Sequence, residues 1–246
     1  MLNNSVAEVG GSAASNVESK WNFFQPYADF DADFLYNSLF CDSLALFRRD
    51  LPTATAMPWA AVLAEPPSLE ILQGLIADDH APGRLRALAC ERLRATGHEV
   101  VGGAVLAVIV EFPLVRGQDT LAVWADGGVC HIRHSGAASL FESHGSRVAA
   151  RARKLVAVAR RLQQRFGAPE SHRPPPPQGD RVRISLITCG GRYCSEGSLQ
   201  ALQKDPLTGA VLGNAIWLLQ AHARPAMDDA GDGKMRPAQD AKAPTE

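Results

Sequence analysis

Apolar and polar positions change their rhythm along the chain, and each change marks a new kind of element. In DADFLYNSLFCDSLALFRR, Phe34, Leu35, Leu39, Phe40, Leu44 and Phe47 recur at three- to five-residue spacing, which predicts a helix with a broad apolar face. A break near Cys41-Asp42-Ser43 divides it into two. Pro52 and Pro58 enforce a loop. Ser68 is placed to cap a helix carrying Leu69, Leu72 and Ile76. GRLRALACERLRATG predicts another, with Gly97 at the position of a C-terminal cap.

From Val100 the pattern becomes that of a sheet. VVGGAVLAVIVEF is almost wholly apolar and rich in valine, as a central strand covered on both faces must be. LAVWA, VCHIRH and SLFE follow as strands, with the Asp126-Gly127-Gly128 turn between the first two. Short connections imply antiparallel neighbours. Val148, Ala152, Leu155, Ala159, Leu162 and Phe166 then advance by three and four, the clearest helix in the chain. RVRISLIT alternates as a half-buried strand, and CGGRYC turns it back into a short partner. Ser198 and Asp205 are placed to cap two final helices.

This order predicts an α+β fold: an antiparallel sheet of about five to six strands, a meander near 100–142 plus a hairpin near 181–195, covered by helices. The predicted organisation is a disordered segment at 1–28, a helical subregion at 29–98, a sheet domain at 99–223 packed with it, and a disordered tail at 224–246. Both ends are poor in periodic apolar residues, so ordering them is not offset by burial.

Composition narrows the class. Apolar residues make up 46%, enough for a sizeable core. A net charge of -1 gives no global field toward nucleic acid or an anionic membrane. The arginine and alanine bias suggests a GC-rich bacterial genome. The odd number of cysteines, with no CxxC pair, argues against a disulfide framework or a structural zinc site, and no cofactor motif is present. The N-terminus has no secretory pattern, and VLAVIV is too short to cross a bilayer, so a cytoplasmic location is expected without membrane insertion.

Candidate chemistry gathers around CHIRH, Cys130 to His134. On a strand, Cys130, Ile132 and His134 share one face while His131 and Arg133 take the other, facing solvent. The two histidines then cannot hold one metal. A pocket at the strand ends would use His134 as general base, with Asp119, Asp126 and Ser135 beside it and Glu111 nearby. Cys194 is the thiol to test first, because a helix starting near Ser198 could lower its pKa. The helix near 146–166 carries a basic face including Arg147, Arg151, Lys154 and Arg161, suited to phosphates or an acidic partner but more simply a solvated face. It lacks interleaved aromatics, which argues against single-stranded nucleic acid.

The stretch VLAVIVEFPLVRGQDTLAVWADGGVCHIRHSG resembles a family of uncharacterised bacterial proteins in which a valine-rich strand precedes Gly-Leu-Asp-Thr-Leu, Ala-Asp-Gly and His-Ser-Gly segments. The matching positions are Glu111, Asp119, Thr120, Leu121, Ala125, Asp126, Gly127, Ile132, His134, Ser135 and Gly136. The resemblance spans roughly Leu39 to Leu219 and implies a fold without a mechanism. His131 and Arg133 stand where that family usually has other residues, which favours His134 as the shared one. With no catalytic motif, the expected role is a non-enzymatic interaction or regulatory module acting through protein or self-association. An enzyme or ligand-binding domain built on His134 is the alternative.

Overall fold

The valine-rich run needs pairing on both edges and cover on both faces, and the fold supplies all of these. The computed structural model describes residues 23–50, 57–98, 100, 103–141 and 146–223. In it the run is strand β1 (Val105–Pro113). It pairs antiparallel with β2 (Gln118–Trp124) on one side and β5 (Arg181–Thr188) on the other. β3 (Val129–Ile132) and β4 (Ala138–Phe141) extend the sheet beyond β2, and β6 (Gly191–Ser198) extends it beyond β5. The order is β4-β3-β2-β1-β5-β6, antiparallel throughout, so the expected α+β sheet is present.

Helices α1 (Phe30–Leu39), α2 (Leu44–Asp50), α3 (Trp59–Leu63), α4 (Leu69–Ala77) and α5 (Gly83–Ala95) lie on one side of the sheet. Leu106, Ile109, Ala122, Cys130 and Ile132 meet Tyr36, Leu85 and Leu88 there. α6 (Arg147–Gln163) and α8 (Pro206–Ala223) cover the other face, and the short α7 (Leu199–Lys204) leads from β6 into α8. Val108, Val110, Leu121, Ile184 and Leu186 meet Leu155, Ala159, Val211 and Leu212. Strand alternation thus feeds two cores from one sheet. The predicted caps are in place. The Ser68, Ser146 and Ser198 hydroxyls accept from the backbone N–H three residues on, and Asp205 accepts from Leu207 and Thr208. Asp29 caps α1 by accepting from the Asp31 N–H.

Three expectations need correction. VCHIRH is a strand only to Ile132. The return strand after Cys189-Gly190 is not short: β6 runs eight residues, Gly191–Ser198. Of the segment expected to be disordered at 1–28, residues 23–28 are packed: Tyr27 is buried, its N–H donates to Asp33 Oδ1 at 2.8 Å and its hydroxyl to Thr120 Oγ1 at 2.8 Å. Phe24 exchanges backbone hydrogen bonds with the Asn37 amide. Aromatic side chains supply the burial that the polar start of the chain lacks. Residues 1–22 and 224–246 lie outside the described residues.

The turn between β2 and β3 tests the packing of the sheet on α6. Gly127 has φ +100, and a Cβ there would lie 2.8 Å from Arg153 Nη1 and 3.0 Å from Ala149 Cβ. Gly74, inside α4, has open space around it. Gly127→Ala is expected to cost about 1–3 kcal/mol. Gly74→Ala is expected to stabilise by about 0.4–1 kcal/mol. Urea unfolding of the two variants checks both signs.

Candidate functional site

Asp119 gathers both histidines of the hairpin. Its Oδ1 accepts from the His134 backbone N–H at 2.7 Å and lies 3.3 Å from His134 Nδ1, while its Oδ2 lies 3.3 Å from His131 Nε2. The expectation that the two imidazoles diverge is therefore corrected. Strand geometry ends at Ile132, and the chain turns through His134 and Ser135, so alternation no longer applies. His131 is also not solvent-facing: it is 4% exposed, on the α6 face beside its cross-strand partner Leu121. His134 is half exposed, and Ser135 is exposed, its Oγ accepting from the Ala137 N–H in the turn.

The other expected members lie elsewhere. Asp126 follows the far end of β2, where its two oxygens accept from Gly83 and Gly128 N–H groups, each at 2.9 Å. That is roughly 20 Å of strand from Asp119. Glu111 is wholly buried on the α1 side of the sheet, opposite Thr120. Tyr36 donates to its Oε1 at 2.7 Å, and Arg183 Nη1 lies 3.8 Å from its Oε2. Burial raises its pKa, with Arg183 and the Tyr36 bond opposing.

The cysteines and the basic helix also resolve. Cys194 Sγ lies 3.5 Å from Glu170 Oε1, and its pKa is pushed up to about 11 by burial and then by the Glu170 charge. These surroundings work against the thiolate expected from the α7 terminus. Cys189 pairs with Cys90 of α5 in a disulfide, Cα–Cα 5.0 Å, across 99 residues. One pair is not the disulfide framework that the odd cysteine count argues against, and Cys41, Cys130 and Cys194 are free thiols. On α6, Arg151 donates to Asn214 and lies 4.7 Å over the Trp217 ring, packing α6 on α8. Arg147, Lys154 and Arg161 are exposed.

A second constellation had no motif to announce it. α1 ends at Leu39, and Cys41 takes the left-handed conformation, φ +51, rare for a residue with a side chain. The bend delivers Asp42 to a cavity of about 450 Å³ between α1, α5, the 169–173 segment and the β5–β6 turn. Asp42 Oδ2 lies 3.3 Å from Arg173 Nε and 3.2 Å from Arg192 Nη1, so one oxygen serves two guanidiniums. Arg173 is 6% exposed and Arg192 9%. Arg173 Nη2 also donates to Asn37 Oδ1, and its guanidinium lies 4.4 Å from the Phe40 ring and 5.0 Å from that of Phe24.

Backbone contact brings the two arginines together. Glu170 N–H donates to the Arg192 carbonyl at 2.7 Å, and a Cβ on Gly191, φ +133, would lie 2.7 Å from Pro169 Cβ. Arg94 also lines the cavity, donating to the Thr188 and Cys189 carbonyls and pairing with Glu91. Glu170 is beside the Cys194 thiol. Glu91 and Glu170 are thus engaged elsewhere, and Asp42 is the acid that touches both Arg173 and Arg192. Arg192 Nε is buried and has no hydrogen-bond partner among the described residues. Burial lowers the Arg192 pKa; Asp42 opposes this and the like charge of Arg173 adds to it. The cavity lining thus sets three arginines against three acids, and it holds one buried guanidinium N–H, that of Arg192 Nε, without a partner among the described residues.

No family model matches the chain, and no curated protein or solved structure matches it. The two constellations must therefore be judged on their own chemistry.

Asp119 gives a pH prediction. Burial alone would raise its pKa, but bonds from His131 and His134, with the His131 charge, bring it below the ordinary 3.8. A lowered native pKa adds stability that is full above the unfolded value and is lost as pH falls through the native one. The stability advantage of the wild type over Asp119→Asn is therefore expected to hold from neutral pH to about 4 and to shrink at lower pH. Urea unfolding across that range measures it.

Proposed function

We propose that this protein is a binding module that receives an anionic group, carboxylate or phosphate, in the cavity lined by Arg192, Arg173 and Arg94. The reading departs from the protein or self-association expected first from the sequence; it takes up the ligand-binding side of the alternative and moves the site away from the β2–β3 hairpin. One observation carries it: the buried Arg192 Nε–H has no partner, beside a carboxylate oxygen already shared by two guanidiniums. An unmet buried donor costs about 1–3 kcal/mol, and more when charged. A planar carboxylate or a phosphate matches the fork of an arginine and would return that cost. Guanidiniums stay protonated, so they hold charge and do not shuttle protons. This favours binding over acid–base chemistry. The alternative enzyme built on His134 has in its favour only the Asp119 bond that orients the ring. Its expected companion Asp126 lies at the other end of the strand.

Inorganic phosphate and malonate are the probes. A ligand at a hundred times its Kd stabilises by about 2.7 kcal/mol, which for a chain of this size is a Tm rise of roughly 5–10 °C. Phosphate or malonate is expected to produce such a saturable rise beyond chloride at equal ionic strength. Arg192→Met is expected to abolish it. Asp42→Asn removes the competing carboxylate and is expected to tighten binding. Failure of both probes on the wild type, or an undiminished rise in Arg192→Met, contradicts the proposal. If Arg192→Met does not fold, weaker binding by Asp42→Asn contradicts it as well.

A further inference from the structure

A second cavity, of about 330 Å³, shares no lining residue with the arginine pocket. It lies between α3, the start of α5, the β2–β3 turn and β4. Its walls include Trp59, Pro82, Arg84, Trp124, Val129 and Leu140. Trp59 stacks on Phe47, ring centroids 6.1 Å apart at 18°. Arg84 lies 4.9 Å over the same Phe47 ring and donates through Nη2 to Ser38 Oγ at 2.7 Å. Leu140, on the edge strand, is 61% exposed and forms part of the cavity's apolar lining.

Two polar atoms of these walls are out of balance with their surroundings. Trp124 is 6% exposed, and its indole Nε1–H is buried with no hydrogen-bond partner among the described residues. Arg84 Nε is likewise buried and without a partner, and Arg84 makes no ion pair among the described residues. Asp126 also borders the cavity, but both of its oxygens are held by backbone N–H groups of Gly83 and Gly128. A buried indole N–H normally finds an acceptor, and a guanidinium drawn partly out of water an anion. Here the two residues that carry these donors both line an apolar, tryptophan-walled space. Sites for small organic ligands have this composition: mostly apolar walls and a few placed polar groups.

We propose that this cavity binds a small flat aromatic carboxylate, its ring against Trp59, Trp124 and Leu140 and its acid group on Arg84. The indole N–H of Trp124 supplies a further donor to the ligand. This site is independent of the arginine pocket, and either can fail without the other.

Indole-3-acetate is the probe, with 3-methylindole as its neutral analogue. The sequence has four tryptophans, so the indole N–H groups of the full chain give few signals in a proton–nitrogen correlation spectrum, and Trp124→Phe identifies that of Trp124. Indole-3-acetate is expected to move the Trp124 signal saturably. 3-Methylindole is expected to bind at least about tenfold more weakly, as the loss of a charge-assisted hydrogen bond requires. Arg84→Met is expected to reduce indole-3-acetate to the affinity of the neutral analogue, and Arg192→Met to leave it unchanged. A stationary Trp124 signal at the solubility limit overturns the proposal, and so does equal affinity for the two probes. Undiminished binding by Arg84→Met, or its loss in Arg192→Met, does the same. The two-probe comparison on the wild type decides the matter if Arg84→Met does not fold.

Discussion

The buried guanidinium of Arg173 ties together four segments of the chain. It lies against the rings of Phe24, Tyr36 and Phe40, donates to Asn37 and pairs with Asp42. A guanidinium out of water is tolerable only when its charge is answered on several sides. Aromatic faces, an amide oxygen and one carboxylate do this together, and desolvated cation–aromatic contacts are worth about 2 kcal/mol each. The N-terminal segment, α1, the α1–α2 bend and the 169–173 segment are therefore held at one point. Because Asp42 is committed to Arg173, Arg192 receives only a share of the same oxygen. Arg192 Nε is left buried without a partner among the described residues beside that shared oxygen.

The sheet is the platform beneath this arrangement. On its α1 side, one end of the central strands is polar and buried. Tyr27 and Gln118 donate to Thr120, Tyr36 to Glu111, and Arg183 bonds to Glu196. Toward the other end, the same face is apolar, with Ile109, Ala122 and Cys130 under α1 and α5. Polar contacts specify where α1 lies on the sheet, and apolar ones supply most of the burial. The opposite face, under α6 and α8, is apolar through Val108, Val110, Leu121 and Leu155. Functional chemistry is thus concentrated on the α1–α5 side and at its margins.

Local signals were legible in the sequence and spatial ones were not. Alternation and heptad-like spacing show the strands and α6, and Ser68, Ser146, Ser198 and Asp205 show where helices begin. Each depends on neighbours within a few residues. The end of β3 was missed because Asp119, fifteen residues away, takes the His134 N–H and turns the chain early. The arginine pocket was missed for the same reason at longer range. Arg173 stands in a proline-rich stretch that looks solvated, and its partner Asp42 is far away along the chain. Arg192 occupies a hairpin position that alternation alone would leave exposed. Aromatic residues at 23, 24 and 27 were the one available hint that the N-terminal segment packs. The Cys90–Cys189 pair, 99 residues apart, had no spacing signature at all.

The shared carboxylate oxygen and the unmet Arg192 donor can be observed directly. Proton–nitrogen spectra of the arginine Nε–H groups, recorded as phosphate is added to the wild-type chain, give the decisive measurement. The account predicts that the Arg192 Nε–H signal moves downfield and exchanges more slowly, while that of Arg183, already bonded to Glu196, stays in place. A fixed Arg192 signal, with movement only among the exposed arginines of α6, would contradict it.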